Sequence, residues 1–202
     1  MKQHLLEFGA SLADATERVV RPVGIVLGGS LLAALCAHVA IPLTFTPVPL
    51  TLSPFPVLLL GLLLSPRLAA ATFAAYLAEG AAGLPVFAPS AAPVGLAQLL
   101  GPTGGYLMAY PLAAALIAWL WSRAGAKMGR GFGTAFICAA LGDAAILTCG
   151  ALWFSVLPHV APVSAMAVLP FLPGDALKAV AAAALAVGWV RLRRHAFDSH
   201  PK

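Results

Sequence analysis

Charged residues are almost absent from three long stretches of this chain. No Asp, Glu, Lys or Arg lies between Arg21 and Arg67. Glu79 is the only one between Arg67 and Arg123, and Asp143 the only one between Arg130 and Asp175. A soluble domain is about a quarter charged; here 9% of residues are charged and 61% are hydrophobic. The apolar runs are continuous, not ten-residue alternating segments. That argues against a transmembrane β-barrel and for a helical integral membrane protein. A net charge of +5 would suggest nucleic acid in a soluble protein. In this chain the basic residues flank apolar runs and read as topology signals, so no nucleic-acid partner is expected.

Residues 1–21 carry Leu5, Phe8, Leu12, Ala15 and Val19 at helical spacing, with Lys2, Glu7, Asp14, Glu17 and Arg18 among them. This predicts a short amphipathic helix at the membrane surface or against a partner. Its charges are spread throughout, which is unlike a cleaved signal peptide. Arg21-Pro22 then opens a first span over about 22–41. Its small residues, Ala33 and Ala37 among them, allow another helix to approach closely, either within the chain or from a separate membrane partner.

Residues 41–56 hold five prolines in sixteen positions. That density forbids a regular helix, yet the segment is apolar. Irregular apolar backbone at membrane depth has to be covered by protein, so this segment is a candidate lid or pocket wall. A short apolar run, Val57 to Leu64, stops at Ser65-Pro66-Arg67, and another runs from Leu68 to about Ala82. Counting a break here gives six spans. Eleven of the twelve Lys and Arg residues then fall on the side of both termini, Lys178 being the exception. The positive-inside rule therefore favours six transmembrane helices with cytoplasmic N- and C-termini. The later spans are about 101–121, 132–157 and 173–190, and a basic tail follows at 191–202. The domain reading is an N-terminal segment 1–21, a six-helix domain 22–190 and the tail.

The chemistry concentrates in Pro173-Gly174-Asp175-Ala176-Leu177-Lys178. Asp175 and Lys178 are three residues apart, one helical turn, so they share a face. A charge at membrane depth is costly and usually marks a pathway or a site. The pair could simply neutralise itself. It would also suit a small solute carrying a carboxylate or carbonyl together with amide-like N–H groups. Glu79, near the outer end of the third span, either lines the same cavity or reaches the interface. Asp143 reads as structural, and His38 as a buried, hydrogen-bonded histidine. Aromatics near the outer ends, including Phe87 and Tyr106, are packing residues or ligand platforms. Cys36, Cys138 and Cys149 read as small packing residues. No metal-ligand spacing, no catalytic set and no nucleotide site is present. The chain is therefore not expected to be an enzyme or to need a cofactor, and any ATPase that drives it is another chain.

Four motifs can be taken together: Pro47-Val48-Pro49-Leu50-Thr51-Leu52, Gly83-Leu84-Pro85-Val86-Phe87, Leu100-Gly101-Pro102-Thr103-Gly104-Gly105-Tyr106, and Phe171-Leu172-Pro173-Gly174-Asp175-Ala176-Leu177-Lys178. In this order they resemble the BioY family, the biotin-binding S components of energy-coupling factor (ECF) vitamin transporters. The resemblance covers about 22–190. It implies a six-helix cell-membrane protein with a biotin site near the outer face, anchored by Asp175 and Lys178. Thr51, Glu79, Phe87 and Tyr106 would stand in the walls. It also implies a transmembrane coupling protein and ATPase subunits as partners, docked on a small-residue face such as Ala33 and Ala37. Two departures stand out. Ser53 replaces a common glutamine, and Ala88-Pro89-Ser90-Ala91-Ala92-Pro93 replaces a glycine-rich loop. The alternatives are a stand-alone, proton-coupled biotin carrier with Glu79 or Asp143 as relay, and an intramembrane enzyme for which no residue set speaks.

Overall fold

The computed structural model describes residues 2–44, 46–89, 94–157 and 168–198, with side chains from Glu17 to Arg193 within those ranges. Helix α1 spans Lys2–Ala37 and passes through Pro22 without a break. The boundary expected at residue 21 is thus not a helix boundary. A proline inside a helix removes one backbone donor and crowds one carbonyl, and here α1 continues through it.

The proline-rich segment is not wholly irregular. Strand β1 (Ala40–Ile41) pairs antiparallel with β2 (Leu50–Thr51), Ala40 opposite Thr51 and Ile41 opposite Leu50. This two-rung hairpin is the one departure from an all-helical fold among the described residues. Helix α2 (Pro54–Leu63) starts on a proline, as the first turn permits, because its leading N–H groups lack intrahelical partners anyway. It stops at Leu64, where the backbone is extended, and α3 (Pro66–Ala81) starts afresh with a proline in its first turn. The expected break is there.

A five-residue helix, α4 (Leu96–Leu100), lies in what reads from sequence as plain outer loop. Then come α5 (Gly104–Met128), α6 (Phe132–Val156) and α7 (Leu172–Asp198). Among the described residues three helices are long and apolar enough to cross a membrane: Glu17–Ala37 within α1, α5 and α6. Residues 158–167, between α6 and α7, lie outside the described residues, as do Ser90 to Pro93.

Two clusters make the core. One is aromatic. Phe73 and Tyr76 of α3 meet Tyr110 of α5, with Phe87, Tyr106 and Phe171 in the same cluster. The other joins α2, α5, α6 and α7 through Leu58, Ile117, Trp121 and an alanine stripe at Ala179, Ala182, Ala183 and Ala186. Where no water drives helices together, small residues of this kind gain contact by letting backbones come close.

Ala33 and Ala37 of α1 are both 0% exposed. They pack inside the chain, so the small-residue face they form is not a surface for docking a partner. Its small side chains admit the neighbouring helix α3. The outward face of α1 carries Val23, Leu27, Leu31 and Leu35 instead. His38 is also not buried. It is exposed just past the end of α1, and its Nδ1 donates to the Ala34 carbonyl in the last turn of that helix at 2.8 Å. Of the cysteines, Cys36 and Cys138 are buried, while Cys149 is on the exposed side of α6.

Candidate ligand-binding site

The start of α7 is set by Pro173 in its first turn, and the Asp175 amide donates to the Phe171 carbonyl at 2.9 Å. One turn on, Lys178 Nζ donates to Asp175 Oδ1 at 2.6 Å, with both side chains almost wholly buried. Two opposite charges in contact compensate one another where neither could stand alone. Removing either one leaves an uncompensated buried charge, a loss of about 3–5 kcal/mol. An ammonium carries three donors. One goes to Asp175, so the pair keeps capacity for a ligand.

Both residues line a narrow cavity of about 60 Å³. That is smaller than the roughly 300–1,000 Å³ of an ordinary small-molecule site. The proline-rich segment contributes Val48, Pro49, Thr51 and Ser53, and α5 contributes Tyr106 and Tyr110. Gln98 of α4, Ile146 and Leu147 of α6, and Phe171 complete the walls. Carboxylate, ammonium, hydroxyl and amide groups thus share a chamber with aromatic and aliphatic surface. This lining chemistry suits a compact molecule with an apolar body and polar groups at its ends.

Packing fixes these walls. Gly104 and Gly105 of the turn before Tyr106 let α4 and α6 approach closely. A Cβ at Gly105 would lie 2.2 Å from Trp153 Cβ, and one at Gly150 would lie 2.2 Å from the Tyr106 ring. Helices α5 and α6 therefore touch backbone to side chain, and the Tyr106 ring lies over Gly150. Trp153 Nε1 donates to the Gly101 carbonyl at 3.0 Å, which pins the turn. Gln98 Nε2 donates to the Ala88 carbonyl at 2.6 Å and so ties α4 to the loop after α3.

Of the six residues expected in the ligand site, Asp175, Lys178, Thr51 and Tyr106 line one cavity. Glu79 and Phe87 are not among its lining residues. Glu79 accepts a hydrogen bond from the Ser30 hydroxyl and joins α3 to α1. Phe87 stands edge-on to Tyr76 at 5.2 Å and fills the notch left by Gly80. It anchors the loop, while the Tyr76 hydroxyl donates to the Val86 carbonyl at 3.1 Å. Asp143 is buried, and its Oδ1 has no hydrogen-bond partner among the described residues. Gln98, Tyr110 and Ser53 line the cavity without having been expected there as ligand contacts. A lone amide in an apolar loop was the available signal for Gln98. Among the described residues no cluster of acids, histidines and cysteines could hold a metal.

The BioY family matches residues 6–195. The chain belongs to the BioY family. It is 36% identical over 146 residues to the probable biotin transporter BioY of Pyrococcus horikoshii, across 72% of this chain and 83% of that one. It is 31% identical over 176 residues to biotin transporter BioY2 of Lactococcus lactis subsp. cremoris, across 85% and 90%. Among solved structures it is similar to the S-component for biotin from an ECF-type ABC transporter, with a TM-score of 0.77 and 26% identity over 88% of this chain and 93% of that one. BioY proteins are transporters, and the chain is a membrane protein of that kind, not an enzyme.

Proposed function

We propose that the chain binds biotin in the Asp175–Lys178 cavity and carries it across the cell membrane as the S component of an ECF-type transporter. Separate ATPase subunits supply the energy through a transmembrane coupling protein. The observation that carries this reading is the buried ion pair in the cavity wall. Biotin has a ureido ring with N–H and C=O groups, an apolar bicycle and a carboxylate tail. The cavity offers an acceptor, a cation and aromatic surface to match. The names of the similar proteins point the same way.

The chain crosses the membrane six times in this reading, with both ends cytoplasmic. Helix α2, at ten residues, is about 15 Å long, half the hydrocarbon thickness. The hairpin segment before it completes that crossing, as irregular backbone can where protein covers it.

Uptake of labelled biotin by cells lacking their own biotin transport tests the reading. Accumulation that needs the coupling protein and ATPases, and survives collapse of the proton gradient while ATP is held, is the expected result. A second reading, the stand-alone proton-coupled carrier, is favoured by Asp143 Oδ1, which has no hydrogen-bond partner among the described residues. Accumulation by the chain alone, abolished by an uncoupler and by Asp143→Asn, would replace the first reading with the second.

A further inference from the structure

A second cavity lies at the other end of the bundle. The first is built from the starts of α2, α5 and α7; this one is built from their ends, with Ser65, Trp121, Ser122, Arg130, Trp189 and Arg193 in its walls. Its volume is about 680 Å³, and among the described residues no Asp or Glu lines it. Two arginines do, and among the described residues neither is ion-paired. The Arg130 guanidinium lies 6.0 Å from the Trp121 ring centre, and that of Arg193 lies 5.0 Å from the Trp189 ring centre. A guanidinium stacked on an indole is held in place with its N–H edge still open to an anion.

The position of Arg130 is built by the backbone. Gly129 has φ +81°, a left-handed conformation that turns the chain back after α5. Gly125 has no Cβ; one placed there would sit 2.9 Å from Arg130 Cγ. The arginine stem therefore lies across the last turn of α5 and delivers its charge to the cavity.

Two planar cations over indoles match an anion with several equivalent oxygens, which arginine binds through paired N–H groups. The cavity is flanked by apolar helix surface, with Leu63, Trp189 and Leu192 exposed on α2 and α7. Indoles and basic residues in this combination belong at the level of lipid headgroups. We propose that this cavity holds the phosphodiester headgroup of an anionic phospholipid, with Arg130 and Arg193 on the phosphate and the acyl chains along α2 and α7.

Native mass spectrometry of the full chain, released from detergent with added phosphatidylglycerol or phosphatidylcholine, tests this. The chain retains phosphatidylglycerol in preference. Retention falls roughly thirtyfold in Arg130→Gln/Arg193→Gln and is unchanged in Arg123→Gln/Lys127→Gln, which removes the same charge outside the cavity. Gly125→Leu removes no charge but displaces Arg130, and it also lowers retention. It keeps the test open should the double variant fail to fold, as followed by circular dichroism. Equal retention of the two lipids, or equal losses in the two double variants, would overturn the proposal. Displacement of the lipid by millimolar inorganic phosphate would assign the cavity to a soluble anion instead and overturn the lipid.

Discussion

At one end of the bundle Lys178 is buried and bonded to a carboxylate one turn away. At the other, Arg130 and Arg193 are exposed and lie over tryptophan rings. The same kind of charge meets two environments. The buried cation depends on one partner, and its worth is set by what happens when that partner is lost. The exposed cations depend on no single residue, and water or headgroups can take over from any contact they lose. Charge removal at the first end should therefore be severe and coupled, and at the second mild and local.

The largest expected effect tests the coupling. Asp175→Ala and Lys178→Ala each leave a buried charge uncompensated, at about 3–5 kcal/mol. The double variant should lose less than the sum of the two. Thermal unfolding and biotin titration of all four proteins give the cycle, and additive losses would mean that the two residues are not one unit.

Next comes the packing beneath the cavity. Gly150→Val puts methyl groups where the Tyr106 ring lies, so stability should fall by about 1–3 kcal/mol. Biotin affinity should fall with it, because Tyr106 lines the cavity. A destabilised variant with unchanged affinity would remove Tyr106 from the site. Ala33→Leu should destabilise by a similar amount, because that side chain is fully buried. Gly24→Leu, where nothing lies within 4 Å, should stay within about 0.5 kcal/mol of the parent. Melting curves in one detergent decide this, and a reversed order would return Ala33 to an outer face.

The smallest effect lies at the basic end. Arg123 is exposed over Trp119 at 5.3 Å. Arg123→Gln should shift stability by no more than about 0.5 kcal/mol and leave biotin binding alone. A loss comparable to that of Lys178→Ala would erase the distinction between the two ends.

Much of this was legible from residue order. The apolar runs located the long helices, and the Ser65-Pro66-Arg67 break separated α2 from α3. The three-residue spacing of Asp175 and Lys178 put both on one face. What stayed hidden depends on direction and on distant partners. Ala33 and Ala37 look the same from sequence whether they face inward or outward; only the position of α3 decides. Glu79 could not be assigned because its partner, Ser30, is 49 residues away. Phe87 closes a motif that leads to the cavity wall at Ala88, yet a missing Cβ at Gly80 draws its ring elsewhere. Helix α4 is too short for any periodicity to register, so Gln98 read as loop.

The most direct test is equilibrium binding of biotin to the purified chain and to Lys178→Ala, with biotin methyl ester alongside. The account predicts submicromolar binding by the parent and its loss in the variant, with the helical spectrum retained. The ester reports whether the carboxylate is held. Undiminished binding by folded Lys178→Ala, or no binding by the folded parent, would contradict the claim that this buried pair anchors biotin.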